Sequence, residues 1–240
     1  MFQLSDKGRG VRQMFDDIAH RYDLLNRLLS FGIDRRWRRF AVSQLKIPAS
    51  GLVLDIATGT CDVAFEIAAQ TDSSVRIVGE DFTQGMLVQG QQKLNASPHG
   101  GRIMLVNAPC EEIPHPDACF DGITIAFGIR NVVDRQAGLC EMFRVLKPGG
   151  RAVILEFSNP RSELFRKIYY FYFQKILPTI GGLLSKRSAY QYLPDSVMEF
   201  PSREQFSQMM GKAGFQRLQC CDLTFGIAAV YVGDKPASRG

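Results

Sequence analysis

Two acids set the chemistry this chain can do. Asp55 closes the apolar run Leu52-Val53-Leu54. Asp81 follows a second, largely apolar run, Val75-Arg76-Ile77-Val78-Gly79, and the intervening Glu80. After Asp55 the chain reads Ile56-Ala57-Thr58-Gly59-Thr60-Cys61-Asp62, a glycine turn that opens a helix. In an open α/β sheet such a turn lets backbone amides approach a ligand at the carboxyl ends of the strands. An acid ending the second strand can then accept both hydroxyls of a ribose. An ordinary strand-to-helix turn whose acid caps a helix is the competing reading. The missing glycines narrow the ligand. A dinucleotide fingerprint needs G-x-G-x-x-G so that the backbone can meet a pyrophosphate. Cys61 and Ala64 stand where the next two glycines would fall, and no P-loop lysine follows. Hydride transfer is disfavoured, and the ligand should carry a ribose but no pyrophosphate.

S-adenosyl-L-methionine meets that description, with its sulfonium and amino-acid tail near the turn. The elements that must hold it alternate. Strands are expected at Leu52–Ile56, Val75–Gly79, Ile103–Val106, Gly122–Ala126 and Ala152–Phe157, and helices near 62–70, 84–95 and 135–146. That alternation predicts a parallel sheet with right-handed crossovers. A further helix at 203–213 precedes strands at 216–224 and 227–233, whose short connection around Gly226 demands an antiparallel pair. Ahead of the sheet, residues 1–10 read as frayed. Met14, Phe15, Ile18, Tyr22, Leu25, Leu28 and Leu29 recur at helical spacing from about Val11 to Ser30. A second helix is expected at about 34–45, and Lys147-Pro148-Gly149-Gly150 reads as the turn before the fifth strand.

The 240 residues suffice for one large α/β domain. The formal net charge of +5 is unevenly spread. Arg35, Arg36, Arg38 and Arg39 crowd around Trp37, and Arg161, Arg166, Lys167, Lys175, Lys186 and Arg187 surround an aromatic stretch. Such patches attract nucleic acid or anionic membrane, or simply form solvated helix faces. The six cysteines form no C-x-x-C pair and only three histidines accompany them, so no metal site is expected. His20, His99 and His115 fall in no recognised motif and read as surface or turn residues. No secretory pattern opens the chain and no apolar segment reaches membrane-spanning length. The expected location is cytoplasmic, with peripheral contact at the inner face of the membrane admitted.

Several stretches go beyond pattern. They are Tyr22-Asp23-Leu24-Leu25-Asn26-Arg27-Leu28-Leu29-Ser30 with Trp37, Phe127-Gly128-Ile129-Arg130-Asn131-Val132, Arg144-Val145-Leu146-Lys147-Pro148-Gly149-Gly150-Arg151 continuing to Leu155-Glu156-Phe157-Ser158, and Tyr190-Gln191-Tyr192-Leu193-Pro194-Asp195-Ser196 with Phe200-Pro201. In this order they closely resemble the ubiquinone/menaquinone biosynthesis C-methyltransferases, over roughly residues 11 to 233. The resemblance implies a class I S-adenosylmethionine-dependent methyltransferase fold: a Rossmann-like α/β domain over 1–240 with a seven-stranded, mostly parallel sheet and an antiparallel last strand. It adds an N-terminal helical cover at about 11–46 and an inserted substrate cover at about 160–200. It further implies methyl transfer to a ring carbon of a reduced polyprenyl quinone precursor: demethylmenaquinol first, a methoxy-polyprenyl-benzoquinol as the alternative, or both. A related lipid or small-molecule methyltransferase and a non-catalytic basic binding module are the remaining alternatives.

The resemblance also assigns residues. Thr60, beside Gly59, is expected at the methionine end of the cofactor, Asp81 at the ribose, and Asn107 and Ala108 at the adenine. Ala126 replaces a serine common in the family, leaving a backbone contact at most. Cys61 replaces the second glycine of the turn. Asp55 reads as a structural or cofactor-orienting acid.

Methylating a ring carbon requires a quinol hydroxyl to lose its proton and the oxyanion to be stabilised. Arg130, directly after the fourth strand, is the expected electrostatic stabiliser; the alternative is a structural arginine paired with Asp23 or Glu156. Guanidinium is too basic to accept a proton at neutral pH. Tyr22 and Asp23 complete the site if the first helices fold over it; otherwise Tyr22 is a core aromatic. Asn131 orients the substrate or caps the next helix. The aromatic run around Tyr169–Phe173 suits an isoprenoid tail or a membrane interface, or else a packed helix. A homodimer is admitted and nucleic acid is not expected.

Overall fold

The computed structural model describes residues 6–163, 165–167 and 187–237. Among these, the strands β1 (Leu52–Ile56), β2 (Arg76–Asp81), β3 (Ile103–Asn107), β4 (Phe120–Ala126), β5 (Leu146–Phe157), β6 (Gln216–Leu223) and β7 (Ala228–Asp234) form one sheet in the order β3-β2-β1-β4-β5-β7-β6. Strands β1 to β5 pair in parallel, and β7 runs antiparallel between β5 and β6. The expected architecture is therefore present. The chain order reverses between β1 and β4, so the carboxyl ends of these two strands flank the crevice where such sheets bind ligands.

Helices α4 (Asp62–Gln70), α5 (Gln84–Asn95) and α6 (Arg135–Val145) are the crossovers, and α7 (Arg187–Met198) and α8 (Arg203–Lys212) precede the final strands. Side chains alternate across each strand. Leu54 and Ile56 on one face therefore join Leu139, Met142, Phe206 and Met210 in one buried cluster. Val53 and Ile77 on the other join Val63, Ile67 and Val42. Helix α8 starts at a reciprocal cap: Ser202 Oγ accepts from Gln205 N–H while Gln205 Oε1 accepts from Ser202 N–H.

The N-terminal region differs from its expectation in detail. Helix α1 begins at Asp6 (Asp6–Ile18), within the stretch read as frayed. The single expected helix is broken by a 3₁₀ turn at Ala19–Arg21 before α2 (Tyr22–Leu29) and α3 (Asp34–Ser43). The break redirects the chain so that α1 packs on α5 while α2 reaches the glycine turn. Asp16 of α1 accepts the Gly85 amide hydrogen at 2.7 Å, satisfying a free N–H in the first turn of α5. Helix α3 is fixed by Trp37, whose Nε1 donates to Thr224 Oγ1 at 2.8 Å and whose ring lies against Phe127 and Phe157. The second strand runs on through Glu80 and Asp81, and the fourth starts two residues earlier than expected. The Lys147–Gly150 turn is absorbed into β5, where the pairing register shifts opposite Phe120 and Gly122 and Gly149 takes a φ of 82°.

Cys61 solves the problem posed by the missing glycine. It adopts the left-handed conformation, φ 72°, at some cost for a non-glycine residue. Its Sγ lies against Gly90 of α5, where an added Cβ would stand 2.6 Å from the sulfur. A glycine one helix away thus makes room for the side chain. Gly90→Ala should destabilise the protein by about 1–3 kcal/mol through overpacking. Adding Cys61→Gly should recover most of the lost melting temperature. A Gly90→Ala variant that melts like the parent would contradict this packing.

Candidate active site

The glycine turn is built around carboxylates. Asp55, fully buried at the end of β1, accepts hydrogen bonds from Thr58 Oγ1 at 2.6 Å and Thr124 Oγ1 at 2.7 Å. These bonds tie the turn to β4. Burial outweighs them and pushes the Asp55 carboxyl up to about 7. Its role here is internal scaffolding. Asp81 Oδ2 accepts the Gly59 N–H at 2.9 Å and Oδ1 accepts the Thr83 N–H at 2.8 Å. One side chain thereby fixes both the turn after β1 and the turn after β2. Gly59 itself needs positive φ, 56°. Burial raises the Asp81 carboxyl to about 6, with the two amide bonds opposing.

A pocket opens beside Asp81. Ile56, Phe82, Ala108, Pro109, Cys110 and Val132 give it apolar walls, and Asn131 adds an amide. Gly8 of α1 also lines it, so the first helix reaches over the opening. Flat apolar walls beside an acid that already orients two backbone turns suit a base and its ribose. Asn107 does not point into this space: its Nδ2 donates to the Asp81 carbonyl at 2.8 Å, and the Ala108 N–H donates to the same oxygen at 3.2 Å. Asn107 therefore supports the Asp81 turn from outside, while Ala108 forms wall. Ala126 is packed between core clusters of the sheet.

Thr60 and Asp23 meet directly. Thr60 Oγ1 donates to Asp23 Oδ1 at 2.5 Å. Lys93 of α5 donates to Asp23 Oδ2 at 2.9 Å and to Asp62 Oδ1 at 2.5 Å, and lies 3.1 Å from Thr60 Oγ1. Asp62 also pairs with Arg38 at 3.0 Å, and Arg38 with Asp34. This network binds α2 and α3 onto the glycine turn, as the folded-over cover requires, and Lys93 is a member that sequence reading missed. Tyr22 lies above the turn: a Cβ built on Gly59 would sit 3.9 Å from its ring. Its phenol is shifted up by burial, against a hydrogen bond from Asn26, and its ring meets Phe15 edge-on at 6.2 Å.

Arg130 takes the structural partner that the sequence left open. Its Nη1 bonds to Glu156 Oε1 at 2.8 Å and to the Phe127 carbonyl, and its own N–H donates to Glu156 Oε2 at 3.2 Å. The guanidinium lies 5.4 Å from the centroid of the Phe157 ring. Its buried Nε is the atom left without a partner. Asp23 belongs to the other network. Asn131 lines the pocket, whereas Arg130 is not among its lining residues. Among the described residues no cluster could hold a metal ion, and no helix is long and apolar enough to cross a membrane.

A seven-stranded sheet of this order, with an acid-held turn after β1 and a second acid after β2, defines the class I methyltransferase fold. Solved structures agree on the fold. A SAM-dependent methyltransferase from Aquifex aeolicus superposes with a TM-score of 0.61 at 15% identity, over 82% of this chain and 89% of that one. The [4+2]-cyclase SpnF superposes at 0.70 and 15% identity, over 96% and 97%, so the fold alone does not fix the reaction. The chain belongs to the ubiE/COQ5 methyltransferase family, whose model matches residues 2–235. A ubiquinone/menaquinone biosynthesis C-methyltransferase of Geobacter sulfurreducens is 62% identical over 98% of this chain and 92% of its own length. A demethylmenaquinone methyltransferase of Deinococcus radiodurans is 49% identical, over 96% and 94%.

Glu80 adds a buried carboxyl that the sequence reading passed over. It precedes Asp81 and so faces the opposite side of the sheet. Neither carboxyl oxygen has a hydrogen-bond partner, and His115 Nε2 stands 3.8 Å from Oε2. The histidine, read from sequence as a partnerless turn residue, also packs edge-on against Phe120. Burial first, then Asp81 and Glu141, raise the Glu80 carboxyl from 4.5 to about 8. The folded protein therefore holds a proton there that the unfolded chain has released. Stability from Glu80 is full below about pH 4.5 and is lost as pH rises through about 8. His115, lowered by burial and by Arg144, acts in the opposite sense as pH falls. Thermal melts of wild type and Glu80→Gln across pH 5–8.5 should diverge, with the variant gaining relative stability as pH rises. Parallel curves would place the ionised carboxylate in a solvated setting.

Proposed function

We propose that this chain transfers the methyl group of S-adenosyl-L-methionine to a ring carbon of a reduced polyprenyl quinone precursor. Demethylmenaquinol is the first acceptor and the methoxy-polyprenyl-benzoquinol the second. The observation that carries the reading is the placement of Asp81 and Asn131 on one apolar pocket, in a chain of this family. The names of the relatives from Deinococcus radiodurans and Thermus thermophilus favour the naphthoquinol; those of the Geobacter type include both quinones.

In this reading Asp81 accepts the ribose hydroxyls with the lone pairs left by Gly59 and Thr83. Phe82, Ala108 and Pro109 enclose the adenine, and the side of the same pocket at Gly128 and Asn131 is left to the reacting end. Gly59 and Thr60 meet the methionine end. When bound, S-adenosylmethionine supplies an electrophilic methyl on a sulfonium. The chain's own residues must order the acceptor, exclude water and stabilise charge on the quinol oxygen. Tyr22 and the α1–α2 cover exclude water from above the turn. Arg130, held in place by Glu156, contributes a fixed positive charge next to Asn131 in the chain, not a proton acceptor. Asp23 acts on the site through Thr60.

The N-terminal helices at about 11–46 serve as cover. Residues 164 and 168–186 of the inserted segment at about 160–200, and with them the aromatic run Tyr169–Phe173, lie outside the described residues. We assign the segment to the isoprenoid tail and to peripheral contact with the membrane on its aromatic and basic composition.

Incubation with labelled S-adenosylmethionine and each reduced acceptor should yield a singly methylated quinol by mass analysis, faster with the naphthoquinol. Cofactor binding without methylation of either quinol would overturn the reading. Arg130→Lys should keep the fold and cofactor affinity but lose most turnover, because an ammonium replaces the planar, delocalised cation that lies over the Phe157 ring with a point charge. Near-normal turnover would remove Arg130 from the chemistry. Asp81→Ala should weaken cofactor binding by about 1.5–3 kcal/mol in calorimetry. Wild-type affinity should also fall as pH drops through about 6, where Asp81 takes up its proton. Affinity unchanged by either would displace the ribose from Asp81.

A further inference from the structure

The segment Tyr190–Ser196 carries a sequence signature with no role in the account so far. In the fold it lies in α7, which packs on the short 3₁₀ turn Ile129–Asn131 at the end of β4. Its point of contact is polar. Tyr192 Oη donates to Asn131 Oδ1 at 2.9 Å. The surroundings hold both partners firmly. Pro194, Ser196 and Val197 of the same helix are buried. Arg135 of α6 donates to the Arg130 carbonyl at 2.8 Å and stacks over Phe200 just beyond α7. The Asn131 N–H donates to Gly128 O at 2.9 Å, so the backbone beneath the amide is fixed as well.

An asparagine amide has one acceptor and one donor end. Where the acceptor end is taken by a tyrosine hydroxyl, the NH2 must face the other way. Asn131 lines the pocket, and no protein acceptor takes its Nδ2 among the described residues. Tyr192 stays a donor: its burial raises the phenol above its ordinary range, despite Arg130 and Arg135 nearby. Arg130 cannot serve the same oxygen with its Nη1, which is committed to Glu156 and Phe127.

We propose that Tyr192 is the positioning residue that turns the Asn131 NH2 toward the acceptor, where it donates to the quinol oxygen as negative charge develops. This rests on the quinol methylation reading above and names the group that contacts the reacting oxygen. In the step it serves, the hydroxyl proton passes to water. The oxygen's electron pair moves through the ring, and the adjacent ring carbon bonds the methyl as the sulfur–carbon pair returns to sulfur. Loss of the proton from that ring carbon restores the aromatic ring. A donor aimed at the oxygen lowers the barrier because the charge is greatest there. Its value depends on being aimed before the reaction starts.

The test is a double-mutant cycle on kcat with demethylmenaquinol, with cofactor affinity and melting temperature measured alongside. Asn131→Ala should lose about 10²-fold in kcat. Tyr192→Phe, which keeps the ring and removes only the hydroxyl, should lose about tenfold in kcat through misalignment, with cofactor affinity unchanged. The double variant should be no slower than Asn131→Ala alone. A Tyr192→Phe enzyme with wild-type kcat would overturn the proposal, as would a loss repeated in full on the Asn131→Ala background. The side-chain amide of Asn131 gives a readout independent of substrate. By 15N relaxation it should be rigid in wild type and mobile in Tyr192→Phe; equal mobility overturns the positioning role. If wild type methylates neither quinol, the substrate reading fails, and the amide measurement still decides the role of Tyr192.

Discussion

The Asp81 carboxylate is the constraint on which the site depends. It sits at the end of β2, yet its two oxygens accept from the turn after β1 and the turn after its own strand. Without it the Gly59 and Thr83 amides would be left facing a pocket with no acceptor, and the glycine turn would lose its tie to the neighbouring strand. That arrangement carries a cost. Taking a carboxylate out of water favours its neutral form, and the carboxyl stands near 6 rather than in the ordinary aspartate range. Two further donors on the charged form would offset that cost, and a ribose supplies two. On the proposed reading, the burial that raises the Asp81 carboxyl also favours a vicinal diol as its further partner.

The rest of the molecule arranges walls and a roof around this point. The sheet order places the β1 and β4 ends side by side, and Asp55 joins them through two buried threonine bonds. The helices ahead of the sheet then attach at separate places: Asp16 on the start of α5, Asp23 on Thr60 and Lys93, and Trp37 on Thr224. The Asp16 and Asp23 attachments are polar and partly solvated, whereas Trp37 and the sheet beneath are held by buried side chains. Opening of the cover should therefore cost far less than unfolding of the sheet, which suits a site that must admit a cofactor and an acceptor in turn.

What the sequence disclosed follows from how local each feature is. The glycine turn, Asp55 and Asp81 lie next to their own strands, so periodicity and one motif placed them correctly. The parallel sheet and its antiparallel final pair were legible for the same reason, since alternating strands and helices followed by one short connection leave few arrangements. Features that depend on contacts across the fold stayed hidden. Nothing near Cys61 shows that Gly90 makes room for its sulfur. Two acids, Asp23 and Glu156, were equally available to Arg130 on paper; distance in the folded chain chose Glu156. Lys93 looked like any helix-end lysine, although its spacing from Asp81 puts it one helix length from the pocket. Glu80 was overshadowed by the acid beside it, although strand alternation alone would have turned it to the other face. The 3₁₀ break at Ala19–Arg21 left no signal, since the apolar spacing continues straight through it.

On the proposed reading, Asp81 is a buried acid that organises the turn and is satisfied by the cofactor's ribose. Its carboxyl carbon, followed by NMR in protein labelled with 13C-aspartate and assigned with Asp81→Asn, measures this directly. The account predicts titration near pH 6 in the free protein and a clear downward shift on addition of S-adenosylmethionine. Titration near the ordinary aspartate value of about 3.9, unmoved by the cofactor, would contradict it.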